Sequence, residues 1–126
     1  MEENKTVLVV DDESYIRRVL ELKLKNRGYN VLSATNGQDG LAIIETQHPD
    51  VVITDIMMPK MDGRTLCERT DPLKQDRPFL TIVVTARINP DEGLWIEQLK
   101  DTRLMEKPFS PTKIVDAIEE YLGNKK

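Results

Sequence analysis

Cysteine is nearly absent from this chain. Cys67 is the only one, so no intramolecular disulfide can form, which fits a reducing compartment. Long apolar runs are absent too, since none approaches the roughly 20 residues of a membrane span. The first residues, Met-Glu-Glu-Asn-Lys, lack the pattern of a signal peptide. Cytoplasmic location and no membrane partner are the expectations. Lysine and arginine nowhere cluster and the net charge is −4, so no nucleic-acid footprint is expected. Internal repeats, low-complexity tracts and linkers are also missing. At 126 residues, 39% hydrophobic and 32% charged, the chain reads as one soluble globular domain with its core about 5–123. That leaves no room for a second domain such as a DNA-binding module.

What the chain does have is a set of short, β-branched apolar runs. Residues 6–10 run into Asp11 and Asp12, residues 51–54 into Asp55, and residues 80–84 into Thr85. Continuous apolar runs of this length read as strands buried on both faces, the signature of a parallel sheet. Two further strands are expected at 30–34 and 103–105.

Helices fall between the strands. The first starts near Asp12 or Glu13, buries Ile16, Val19, Leu20 and Leu24, and ends before Gly28. Asn36 and Gly37 open the second, with Leu41, Ile44 and Ala42 inward, and His48-Pro49 closes it. A short third helix is expected at 64–70, after a loop at 57–63, and a polar connection follows at 71–78. Asn89-Pro90 and Ser110-Pro111 are cap-plus-first-turn pairs for the fourth and fifth. The fifth presents Ile114, Ala117, Ile118, Tyr121 and Leu122, with Gly123 after it. Five strands alternating with five helices predict a doubly wound α/β fold.

In such folds ligands bind beyond the carboxyl ends of the strands. Asp11, Asp12 and Asp55 would therefore crowd one sheet edge. Like charges this close raise one another's pKa unless a cation lies among them. A hard divalent cation such as Mg²⁺ suits oxygen ligands of this kind. Lys107, just past the fifth strand, brings an ammonium to the same edge, and Thr85 brings a hydroxyl. Together they suit a phosphoryl group attacked in line by a carboxylate. Singly, each residue has a plainer role. Asp12 or Asp11 could cap a helix, Thr85 could end a strand and Lys107 could be solvated. Their joint occurrence at four strand ends favours the functional reading.

The motifs carrying these residues resemble the receiver domains of two-component response regulators. Val-Val-Asp-Asp-Glu at 9–13 matches the family's acidic pair, and Asp-Ile-Met-Met-Pro-Lys-Met-Asp-Gly at 55–63 matches its phosphoacceptor loop. Thr85-Ala86 and Lys107-Pro108-Phe109 match the remaining two signatures. The likeness runs from Val7 to Leu122 and implies a stand-alone, flavodoxin-like receiver with strand order 2-1-3-4-5.

It also implies roles. Asp55 would accept a phosphoryl group from a histidine kinase or histidine phosphotransfer protein. Asp12, Asp55 and the Met57 carbonyl would ligate Mg²⁺ or Mn²⁺ directly, and Asp11 would act through water. Lys107, Thr85 and the Ala86 amide would hold the phosphoryl group, and Lys107-Pro108 would be a cis peptide. A face of helix four, strand five and helix five would meet an unknown downstream protein, with the chain a monomer or weak homodimer. Met57 and Arg87 would tune dephosphorylation. The chain departs from the pattern at Leu104, where the family often has an aromatic switch residue, and at Leu99-Lys100, where a small pair is usual.

Alternatives remain at this stage. A relay shuttle or phosphate sink would use the same residues without direct output. A phosphatase needs a carboxylate two positions after the nucleophile, where this chain has Met57. A flavin or nucleotide binder needs a Gly-rich loop after strand one, where this chain has Asp11-Asp12-Glu13. Trp95, the only tryptophan, could pack in the core or face a partner. His48 is expected at the surface.

Overall fold

The computed structural model describes residues 4–86 and 90–123. Five parallel strands form one sheet: β1 (Thr6–Val10), β2 (Asn30–Ala34), β3 (Val51–Asp55), β4 (Leu80–Thr85) and β5 (Thr102–Glu106). Their spatial order is β2-β1-β3-β4-β5. Every connection is helical: α1 (Ser14–Asn26), α2 (Gly37–Gln47), α3 (Gly63–Thr70) with a 3₁₀ turn (Asp71–Gln75), and α4 (Pro90–Glu97), with α5 (Pro111–Gly123) closing the chain. This is the doubly wound architecture expected from the strand runs, with the flavodoxin-like strand order that the resemblance implies.

Alternation along each strand sorts the core into two layers. Val7 and Val9 of β1, with Val51, Ile53, Ile82 and Val84, pack under α1 and α5 against Leu20, Leu24, Ile114 and Ile118. Leu8, Val10 and Val52 face the other way, against Ile44 and Leu66 of α2 and α3. A third group lies beside it, where Val83 meets Cys67, Trp95 and Ile96, with Leu99 and Leu104 against them. Val7, Leu8, Ile82 and Ile118 are completely buried. Burial of side chains of this size contributes roughly 1.5–3 kcal/mol each.

Local signals fix the helix ends. Gly28 adopts φ 92°, and its N–H donates to the Lys25 carbonyl while that of Tyr29 donates to Leu24. This paired closure places a residue in the left-handed region, which glycine reaches at little cost. The Asn36 and Asp62 side chains each accept a main-chain N–H at 2.8 Å, from Asp39 and Thr65, and so cap α2 and α3.

Several expectations need correction. Ala42 is exposed, whereas Ile44 is buried as expected, with Gly37 and Gly40 inward beside it. Small residues let α2 approach β1, which a longer inward side chain would prevent. Of the two starts expected for α1, the cap position belongs to Glu13, whose side chain makes no capping bond, so the plainer capping role weighed for Asp11 and Asp12 falls away. Gly123 is the last residue of α5, not the first beyond it. The connection at 71–78 contains a 3₁₀ turn and buries Lys74. Trp95 is 6% exposed, and Leu94 takes the outward position at 61%. Arg87 and Asn89 lie outside the described residues, so the tuning and cap roles expected of them do too.

Candidate functional site

β3 and β4 each run one residue further than their apolar stretches, so Asp55 and Thr85 are themselves strand residues. The parallel register places Val10 beside Thr54, Asp55 beside Val84, and Thr85 beside Glu106. β1, β3, β4 and β5 therefore end at one level. Asp11 follows β1 directly, and its N–H still pairs with the Ala34 carbonyl at the end of β2.

The site residues come together there. Asp11, Asp12 and Asp55 each offer a carboxylate oxygen within 4.8 Å of the others. Asp11 and Asp55 are buried while Asp12 is exposed, so the group has one open side. Lys107 Nζ lies 3.0 Å from Asp55 Oδ2, 3.3 Å from Glu13 Oε1 and 3.4 Å from Asp11 Oδ2. Asp55 Oδ1 accepts the Ile56 N–H at 2.7 Å. One oxygen of Asp55 is thus held by its own main chain, and the other faces the ammonium.

The surrounding chain is shaped to this end. The loop after Asp55 folds back until the Gly63 N–H donates to the Ile56 carbonyl at 2.8 Å. A Cβ at position 63 would collide with the Asp55 carbonyl oxygen, so glycine is required for close approach. The Lys107 N–H donates to the Thr85 carbonyl at 2.7 Å, which ties the ammonium-bearing residue to the hydroxyl-bearing one. The Lys107–Pro108 peptide is cis. Thr85 is 5% exposed, and Ala86 beyond it is exposed. Met57 opens the loop with its side chain 77% exposed.

Electrostatics follow from this packing. Burial pushes the Asp11 carboxyl above its ordinary pKa, and neither the Glu13 N–H nor the Lys107 ammonium offsets it fully. Burial alone would lower Lys107. Asp55, Asp11 and Glu13 outweigh that effect and hold the ammonium above its usual value. The carboxylates of Asp11, Asp12, Glu13 and Asp55 thus gather on and beside the Lys107 ammonium. A hard divalent cation fits this donor set of carboxylate oxygens with an open side.

Two contributors were not singled out from the sequence. Glu13 reaches Lys107, and Arg17 Nη1 donates to the Asp11 carbonyl at 2.9 Å. Glu13 stood next to the acidic pair, so its position was a usable signal. Arg17 acts on a main-chain oxygen, which no residue pattern marks. Leu104 lies on β5, partly buried against the Trp95 group. It presents no aromatic ring beside Thr85.

A five-stranded doubly wound sheet with acids, a lysine and a threonine at its carboxyl edge defines a class of signalling protein. The chain belongs to the response regulator receiver domain family, whose model matches residues 7–119. Among curated relatives, the probable transcriptional regulator ycf27 of Porphyridium aerugineum is 36% identical over 116 residues, covering 92% of this chain and 47% of that protein. The alkaline phosphatase synthesis transcriptional regulatory protein PhoP of Bacillus subtilis (strain 168) is also 36% identical, over 88% of this chain and 45% of its own length. The chain thus spans about half the length of these relatives. Among solved structures, a CheY-like response regulator receiver domain protein from Methanospirillum hungatei JF-1 superposes with a TM-score of 0.89 at 28% identity. It covers 97% of this chain and 96% of that one. Chemotaxis protein CheY4 of Vibrio cholerae gives 0.84 at 26% identity, over 94% and 98% of the two chains. Among the described residues, no helix is long and apolar enough to cross a membrane.

Proposed function

We propose that the chain is one receiver domain, acting in the cytoplasm as a phosphorylation-controlled switch, with Asp55 as phosphoacceptor. The observation that carries this reading is the convergence of Asp11, Asp12 and Asp55, with Lys107 Nζ 3.0 Å from the Asp55 carboxylate. A histidine kinase or histidine phosphotransfer protein supplies the group. The N–P bond of phosphohistidine breaks as the bond from an Asp55 oxygen to phosphorus forms, and the histidine leaves.

Asp12, Asp55 and the Met57 carbonyl would hold Mg²⁺ or Mn²⁺, with Asp11 through water. A bound cation supplies charge neutralisation of the phosphoryl oxygens. Lys107 turns from carboxylate to phosphoryl oxygen and keeps its charge throughout. Thr85 offers its hydroxyl and Ala86 its amide to the same group. The protein promotes its own phosphorylation and dephosphorylation and is not a turnover enzyme, since Met57 stands where a phosphatase needs an acid. The added charge of about −1.5 to −2 biases a face of α4, β5 and α5 toward a downstream protein. The chain acts as a monomer or weak homodimer, without a nucleic-acid or membrane partner.

Leu104 favours one second reading. Without a rotating aromatic on β5, the chain would serve as a relay shuttle or phosphate sink. The primary test is incubation with acetyl phosphate and Mg²⁺ followed by intact-mass measurement. One phosphoryl group is expected, absent with Asp55→Asn and absent with chelator. No added mass, or a mass that survives Asp55→Asn, overturns the phosphoacceptor assignment.

A further inference from the structure

Glu13 stands at the N-cap of α1 but makes no capping bond with its side chain. Its Oε1 lies 3.3 Å from Lys107 Nζ, while its N–H donates to Asp11 Oδ1 at 2.9 Å. It is not among the three carboxylates that can close on one ion. It is thus a further negative charge applied to the ammonium alone. Its side chain is 60% exposed, against 5% for Asp11 and 9% for Asp55. Glu13 also lines a cleft of about 530 Å³ beside Lys107, shared with Tyr15, Ala86 and Phe109. Of the three partners of Lys107, it is the one that can leave into open solvent.

We propose that Glu13 is a positioning residue that competes with the arriving phosphoryl oxyanion for Lys107, and so weakens retention of that group at Asp55. This rests on the phosphoacceptor reading above. A lysine ammonium has three N–H donors, and three carboxylates surround this one. An oxyanion that engages Lys107 must share the ammonium with those that stay charged. Asp55 carries the new group and Asp11 is buried, so Glu13 is the exposed carboxylate left to compete with it for the ammonium. While in place it also repels the newcomer through like charge. Both effects act in the same direction, and both scale with the Glu13 charge.

The experiment titrates beryllofluoride, a phosphoryl mimic, at saturating Mg²⁺ and follows bound fluoride by ¹⁹F NMR. Glu13→Gln keeps the side-chain shape and the N–H to Asp11. It should bind beryllofluoride about two- to fivefold more tightly than the unsubstituted chain in low salt, the range of an exposed ion pair. The gap should close near 1 M salt, where the screening length is about 3 Å. Glu13→Asp, which keeps the charge but withdraws it from Nζ, should fall between the two. A purely structural role for Glu13 would give no such salt dependence. Equal or weaker binding by Glu13→Gln, with the unsubstituted chain binding normally, overturns the role of Glu13 alone. Absence of binding in the unsubstituted chain overturns the phosphoacceptor reading and this inference with it.

Discussion

Among the described residues, Lys74 and Lys107 are both withdrawn from solvent, and their surroundings differ in kind. Lys107 lies among the carboxylates of Asp11, Glu13 and Asp55. Lys74, 4% exposed, lies among dipoles. Its Nζ donates to the carbonyls of Lys100 and Asp101 and to Thr102 Oγ1. It also sits 4.8 Å from the centre of the Phe79 ring. Burial lowers the Lys74 pKa to about 8, with nearby acids offsetting it only in part, whereas Lys107 is raised. Charges hold an ammonium strongly but can be exchanged for another anion. Dipoles from the main chain hold it more weakly and have no substitute. Lys107 is accordingly suited to changing partners, and Lys74 to fixing the 3₁₀ turn against the approach to β5.

The contrast can be broken most severely at Lys107. Lys107→Met leaves the carboxylates without their cation, and removing one partner of a withdrawn ion pair is costly. We expect a loss of about 3 kcal/mol in chelator, measured by urea unfolding, with Mg²⁺ restoring more stability to the variant than to the parent. A variant as stable as the parent would mean that the carboxylates are relieved by water alone.

Lys74 gives a smaller effect of opposite pH logic. Its folded pKa, about 8, lies below its ordinary value near 10.4. Between these values the unfolded chain binds the proton and the folded chain does not, so this residue adds stability as pH rises through the window. Cys67, whose thiol burial pushes up to about 12, acts against it above pH 9, so the comparison must be with a variant. The stability of the parent relative to Lys74→Met should rise by about 2 kcal/mol between pH 8 and 10.5. A flat difference would show that the Lys74 ammonium stays protonated in the folded chain.

A third cation sharpens the scale. Arg64, on α3, stacks 5.6 Å from the centre of the Trp95 ring. Its side chain is half exposed and pairs with Glu68. Arg64→Met should cost about 0.5–1 kcal/mol, the range of an exposed cation–π contact. It should also shift the fluorescence of Trp95, the only tryptophan. No shift would place the guanidinium away from the ring in solution.

These examples mark what the sequence could carry. Strand positions were readable because a strand buried on both faces needs a continuous apolar run, and residues 51–54 and 80–84 are such runs. Asp11, Asp12, Asp55, Thr85 and Lys107 were readable as a group because each stands at the carboxyl end of an expected strand, where a parallel sheet places its ligand site. The surroundings of Lys74 were not, since its acceptors are mostly main-chain oxygens 26 and 27 positions away, which every residue type possesses. Trp95 stayed ambiguous because Leu94, Trp95 and Ile96 are all apolar. Only the placement of α4 over Val83 decides which one turns out.

The bond from the Lys107 N–H to the Thr85 carbonyl also has a mechanical side. It fastens the last residue of β4 to the residue just past β5, so hydroxyl and ammonium share one rigid mount. Slippage of one strand along the other is closed off as a way to reshape this edge. What remains is rotation of the side chains that the strands carry. Any reshaping of this edge is therefore left to its side chains, while the strand register behind them is kept.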